Sequence, residues 1–225
     1  MQTPKTKLTM NNETALLHKI EEAETLGLTT LDLSWSVWAS IPQEIGRLTE
    51  LRELYLQHNA LTSLPESIGR LANLEKLAIS HNHLRHLPPS MRHLTKLQEL
   101  SAGNNPLCSI PEWLGDLSRL EALEFANCQL KAMPESIGKL TRLRELYLPG
   151  NQLVSMEWIG ELEALERLLL ANNSIVELPD SFLKLTKLKS LNMTANPLSN
   201  PPLNIVEQGL EALQKALEER RTKSV

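Results

Sequence analysis

Aromatic side chains make up only 4% of the 225 residues, so any core this chain builds must be aliphatic. A basic excess is missing too. The formal net charge is −4, the opposite of what neutralising a phosphate backbone requires, and nucleic acid is not an expected partner. No run of about 18 apolar residues occurs, so no membrane-spanning helix and no membrane partner are predicted. The opening MQTPKTKLTMNNET lacks the apolar centre of a signal peptide. Cysteine is limited to Cys108 and Cys128, which are too few and wrongly placed to tie down a secreted framework. These absences predict a cytoplasmic protein, leaving open a non-classical or effector route of secretion.

What is present is leucine, at 28, 51, 74, 97, 120, 143, 165 and 188, in steps of 23 residues with one of 22. Each of these leucines opens the same phrase, LxxLxLxxNxLxxLPxxIGxL, nearly complete in Leu51 to Leu71. Counting each as place one, place four is always leucine and place six always apolar, an alternation that predicts a strand with one buried face. Place nine is asparagine except at Ser36 and Cys128. An amide there can satisfy backbone donors and acceptors left over as the chain turns out of the strand. Cys128 thus reads as a substitute in an asparagine ladder and not as a nucleophile. Proline at place fifteen, replaced in the short unit by Glu157, opens a turn whose Ile-Gly pairs predict a short helical or 3-10 segment.

This phrase resembles intracellular leucine-rich-repeat proteins, particularly the Ras-suppressor type with its LPxxIGxL outer segment and the repeat regions of bacterial Roco proteins. The likeness covers about residues 13–217. It implies an α/β solenoid, a right-handed horseshoe with a parallel concave sheet and short helical or 3-10 segments on the convex side.

A repeat unit cannot bury its face alone, so both ends need covers. Residues 1–12 read as a polar tail. Residues 13–27 carry Leu16, Leu17, Ile20 and Ala23 at helical spacing with Gly27 as the stop, and form the expected N-terminal capping helix. The eight repeats occupy 28–202. Residues 203–225 place Val206, Leu210, Leu213 and Leu217 on one stripe and form the expected C-terminal capping helix and tail.

Places three, five and seven point to the concave side, where they have no packing duty. Places three and five hold Asp32, Glu53, Glu99, Glu124 and Glu145 against Lys76 and Arg167, a local charge of −3. Such a face would steer a basic partner. Place seven is mostly small, which is expected to leave Tyr55 and Tyr147 standing clear of their neighbours as anchors, extended by Leu169 and, at the N-terminal edge, Trp35. Eight strands about 4.8 Å apart make an arc of roughly 34 Å, enough for a folded domain or a long peptide. His58 and His81 share place eight in adjacent units, with Cα atoms expected roughly 5 Å apart, and belong to the expected partner-binding set as a rim that titrates near neutrality.

No catalytic, cofactor or metal site is expected. The nearest approach to a phosphate-binding loop, Gly138-Lys139, is followed by Leu140 and has Met133 where its first glycine belongs. The expected function is a non-catalytic scaffold that binds another protein, one with a basic surface, on the concave face. The alternatives are the sensor region of a Roco-like GTPase continuing past residue 225 and a bacterial effector that occupies a host protein.

Overall fold

The computed structural model describes residues 4–223. Eight three-residue strands form one parallel sheet in sequence order: β1 Thr30–Asp32, β2 Glu53–Tyr55, β3 Lys76–Ala78, β4 Glu99–Ser101, β5 Ala122–Glu124, β6 Glu145–Tyr147, β7 Arg167–Leu169 and β8 Ser190–Asn192. Register is preserved throughout, so that place three pairs with place three and place four with place four, as in Glu53 with Lys76 and Leu54 with Leu77. From β2 to β7 the place-four leucines Leu54, Leu77, Leu100, Leu123, Leu146 and Leu168 are buried. They join the leucines of places one and eleven in a continuous aliphatic core.

The asparagine ladder ties each unit to the one before it. Asn82 Nδ2 donates to Ile79 O of its own unit at 3.0 Å and to Leu56 O of the preceding unit at 2.9 Å, while its Oδ1 accepts from Leu61 N at 3.0 Å. Asn105, Asn151, Asn173 and Asn196 each donate to the same two carbonyls. Cys128 is fully buried in the equivalent slot, its Sγ 3.4 Å from both Ala102 O and Ala126 O. A thiol offers no amide oxygen for the preceding unit, and the chain reroutes there: Leu107 N bonds Asn105 O at 2.8 Å and Cys108 N bonds Cys128 O at 2.9 Å. All eight place-eight residues have positive φ; apart from them and glycine, among the described residues only Val37, Cys108 and Gln129 do. These three flank the two rungs that lack asparagine, Ser36 and Cys128.

On the convex side seven 3-10 turns stack, at Gln43–Arg47, Glu66–Arg70, Pro89–His93, Glu112–Asp116, Glu135–Lys139, Glu157–Glu161 and Asp180–Lys184. Six follow a proline with φ between −65° and −74°, close to the value the pyrrolidine ring imposes. In the short unit the capping position is held by Met156, with φ −146°, and not by Glu157, which is the first residue of the turn. The missing residue therefore falls ahead of the turn. The glycine of the Ile-Gly pair is required by the next unit: a Cβ at Gly69 would lie 2.3 Å from Ser90 O, and one at Gly115 would lie 2.1 Å from Ser136 O. Where Arg92 replaces that glycine, Trp113 replaces the facing serine, and the backbones of those two turns approach each other less closely.

Both ends carry helices. The N-terminal helix, α1, runs Pro4–Leu26, so most of the expected 1–12 tail is helical, while residues 1–3 lie outside the described residues. Proline suits a first helical position because its missing N–H would have had no partner there. Leu16, Ile20 and Ala23 are buried against the first repeat, and Gly27, with φ +59°, lets Leu28 N reach Ala23 O at 3.0 Å in a left-handed C-terminal cap. The C-terminal cover is two helices rather than one, α2 Leu203–Val206 and α3 Leu210–Lys223, broken at Gly209 with φ +108°. Leu213 and Leu217 are buried, and Arg220 pins α3 to the last repeat through Asp180 and Leu178 O.

Candidate binding surface

The strands carry places three and five to the concave face, and the side chains there form short networks instead of standing free. Tyr147 Oη donates to Glu145 at 2.5 Å, and Arg167 Nη1 donates to the other oxygen of that carboxylate at 3.0 Å. Burial, and then the bond to Glu145, raise the Tyr147 phenol above its ordinary value, while the Arg167 guanidinium is raised by its bond to Tyr147 and by Glu145. Leu169 pairs with Tyr147 across β6 and β7. On β2 the same arrangement recurs, with Tyr55 Oη donating to Glu53 at 2.9 Å. Burial and Glu53 raise that phenol too. The two tyrosines are thus half-buried and tethered, a correction to the expectation that they stand clear of their neighbours.

Between them Lys76 pairs with Glu99 at 2.5 Å, and this bond raises the Lys76 ammonium. Glu124 is the most heavily bonded carboxylate on the face. Ser80 Oγ, Ser101 Oγ and Gly103 N donate to Oε2 at 3.0, 2.6 and 3.0 Å, and Ala126 N donates to Oε1 at 2.9 Å. Four donors from three successive units make it a clamp between repeats as well as a surface acid. A hollow of about 270 Å³ opens over this region, lined by Ala78, Ser101, Ala122, Glu124 and Tyr147.

Trp35, His58 and His81 lie apart from the tyrosines, beyond the C-terminal ends of β1, β2 and β3. The Trp35 and His58 rings stack with centroids 3.5 Å apart at 12°, and His58 and His81 stack at 4.1 Å and 13°. The row continues through His81 Nε2 to Asn104 at 3.3 Å and from Asn127 Nδ2 to Asn104 Oδ1 at 3.1 Å. Parallel rings keep their in-plane lone pairs parallel as well, a poor start for a shared metal, and among the described residues no three His, Cys, Asp or Glu side chains group as metal ligands. Trp35 therefore extends this rim and does not join the Tyr147 patch.

The roles of Ser80, Ser101 and Gly103 around Glu124, and of Lys76 against Glu99, were not apparent in the sequence. The available signal was a glycine at place seven followed one unit later by a glutamate at place five.

Three-residue parallel strands, stacked 3-10 turns and an inter-repeat asparagine ladder define a repeat solenoid. The chain belongs to the leucine-rich-repeat family: the leucine-rich repeat region family matches residues 28–158, and a second leucine rich repeat family matches 154–198. No match is found among curated proteins. Among solved structures, the plant peptide hormone receptor RGFR1 in complex with RGF2 is 34% identical with a TM-score of 0.69, over 78% of this chain and 30% of that one. An internalin, InlF, from Listeria monocytogenes is 25% identical with a TM-score of 0.65, over 71% of this chain and 46% of that one. A leucine-rich-repeat protein of Leptospira interrogans is 27% identical with a TM-score of 0.60, over 83% of this chain and 60% of that one. The chain thus spans less than two thirds of the length of each of these structures. No helix among the described residues is long and apolar enough to cross a membrane.

Proposed function

We propose that this chain is a non-catalytic scaffold that binds another protein on its concave face, along the arc from Tyr55 to Leu169, and that the partner presents a basic surface there. The observation that carries this reading is the set of tethered tyrosines. Tyr55 and Tyr147 sit at positions with no core to fill, each held in one orientation by a carboxylate on its own strand. Such preorganisation lowers the entropic cost of making an aromatic anchor. Glu53, Glu99, Glu124 and Glu145, set against Lys76 and Arg167, give the arc its acidic balance, and His58 and His81 form its rim.

The family supports binding over catalysis, since both matching families are repeat families. Among the similar structures, the plant peptide hormone receptor RGFR1 is in complex with RGF2, and the Arabidopsis receptor kinase HAESA is in complex with the peptide hormone IDA and the co-receptor SERK1. The LPxxIGxL outer segment and the two free cysteines, one buried in the ladder, favour the intracellular, Ras-suppressor-like branch.

The test compares crosslinked capture by the native chain with capture by a Tyr55→Ala/Tyr147→Ala chain of equal melting temperature. Loss of a specific partner from the variant supports the reading. The same partners at the same yield would sink it.

A further inference from the structure

Ion pairs on this solenoid join equivalent positions of successive repeats, each setting a cation against a carboxylate one unit away, as in Arg52 with Glu75 at 2.8 Å and Lys189 with Glu166 at 2.6 Å. The residue just before each place-one leucine breaks this rule. Lys96, Arg119 and Arg142 stand there in three consecutive units, Ala164 follows, and Lys187 continues the row. These four cations are exposed, on the turns that lead into β4, β5, β6 and β8. Lys96 Nζ donates to the Asn73 amide oxygen at 2.6 Å, and no carboxylate pairs with any of the four. Equivalent positions in neighbouring units lie roughly 5 Å apart, so the first three are like charges side by side, an arrangement that costs stability.

Ala164 leaves a hollow in the row. About 320 Å³ in volume, it is lined by Thr141, Arg142, Ala164 and Lys187, by Arg144, and by two carboxylates, Glu121 and Glu166, which Arg144 and Lys189 engage at 3.9 and 2.6 Å. From Thr95 to Lys189, the two residues before each place-one leucine and the residue at place two hold six cations against three carboxylates, Glu121, Glu163 and Glu166. The edge thus carries a local charge of +3 in a chain whose net charge is −4.

We propose that this edge binds an acidic segment of a protein in extended form, with one of its carboxylates entering the hollow between Arg142 and Lys187. Charge matching selects the occupant. The four repeat steps from Lys96 to Lys187 span roughly 20 Å. An extended peptide with a carboxylate at every second residue places about three negative charges over that length, equal to the local excess. A nucleic-acid strand, with a phosphate about every 3.4 Å, places about six there and meets Glu121, Glu163 and Glu166 as well. The acidic segment offsets the repulsion within the row, and the field of the row speeds its approach. The sign of this edge is opposite to that of the concave arc from Tyr55 to Leu169, so the two surfaces select different chemistry and the edge site stands independently of the arc.

The experiment is fluorescence anisotropy of a labelled peptide of alternating glutamate and serine, twelve residues long, titrated with the full chain. Binding is expected at about 20 mM salt and should weaken at least tenfold by about 300 mM, while the glutamine-serine version of the peptide should not bind. Arg119→Gln/Arg142→Gln/Lys187→Gln should weaken binding at least tenfold with a melting temperature no lower than the native one, because it removes like-charge repulsion from exposed positions. Arg70→Gln/Arg85→Gln/Lys131→Gln lowers the net charge equally at exposed positions elsewhere and should bind within about twofold of the native chain. The Tyr55→Ala/Tyr147→Ala chain should bind the peptide as the native chain does, which separates this site from the concave one. No binding at low salt, equal losses in the two glutamine variants, an edge variant that melts well below the native chain, or tighter binding of a single-stranded oligodeoxythymidine of the same length would each overturn the proposal.

Discussion

Gly103 and Glu124 occupy the same space in successive units: a Cβ on Gly103 would lie 2.0 Å from Glu124 Oε1, and Gly103 N donates to Glu124 Oε2 at 3.0 Å. The absence of a side chain at 103 lets the carboxylate lie back across three repeats. Gly103→Ala is therefore expected to expel Glu124 from its four donors and to cost about 2–3 kcal/mol, read as a lower midpoint in urea. Glu124→Ala removes the same bonds without the clash and should cost about as much. A Gly103→Ala chain as stable as the native one would mean that the carboxylate clamp contributes nothing.

The convex glycines make a graded prediction. At Gly115 a Cβ would meet Ser136 O at 2.1 Å, a backbone atom that can move only if the whole next turn moves. At Gly138 the nearest atom is Glu161 Cβ at 3.0 Å, a contact that a shift of a few tenths of an ångström relieves. Gly115→Ala should cost about 2 kcal/mol and lower Tm by roughly 4–8 °C, whereas Gly138→Ala should stay within about 0.5 kcal/mol of the native chain. Thermal unfolding of the two variants side by side checks the order, and the reverse order would refute inter-repeat packing as the reason for these glycines.

Asn105 and Cys128 are neighbouring rungs with opposite chemistry. Asn105→Leu keeps the size but orphans Ile79 O, Ala102 O and Leu84 N, so a loss on the order of 3 kcal/mol is expected in chemical denaturation. Cys128 is buried, and that burial pushes its thiol up to about 12, so it carries almost no thiolate at neutral pH. Iodoacetamide should accordingly modify the exposed Cys108 in the native chain and reach Cys128 only after unfolding, as peptide mass mapping would show. Modification of both at equal rates in the native state would contradict the buried rung.

The contrast between these rungs and Glu124 shows what the sequence makes legible. Leucines at places one and four and the asparagine at place nine do the same job in nearly every unit, so repetition exposes them, and even Cys128 is readable as a departure from a pattern. The convex glycine repeats as well, but its cause sits on the following unit, and periodicity alone suggests only a turn. Glu124 lies beyond that kind of reading. Its partners Ser80, Ser101 and Gly103 occupy different places in different units, and no period connects them. Likewise the alternation predicts where Tyr55 and Tyr147 point, while their tethering depends on Glu53 and Glu145 standing two residues earlier, on the same side of the strand. Boundaries were the least legible: Pro4 permits a helix start well before residue 13, and Gly209 divides what one apolar stripe suggests is a single helix.

The stacked rim gives a pH dependence whose sign follows from the geometry. His58 lies between Trp35 and His81; desolvation and then repulsion from a charged His81 hold its imidazole below the ordinary 6.5. In the unfolded chain both influences vanish. Below about pH 6.5, therefore, the unfolded state binds more protons at this position than the folded one, and stability falls as pH is lowered through that window, while above it the effect is absent. His58→Asn removes the titrating group and retains a residue that tolerates the positive φ of place eight, as at Asn104 and Asn127. Urea midpoints measured from pH 7.5 down to 5.0 should fall less steeply for His58→Asn than for the native chain. Trp35 fluorescence, read in a chain with Trp38, Trp113 and Trp158 each replaced by phenylalanine, should change over the same window as the ring it rests on gains charge. Parallel stability profiles for the native and His58→Asn chains would show that the stack has no part in the acid response.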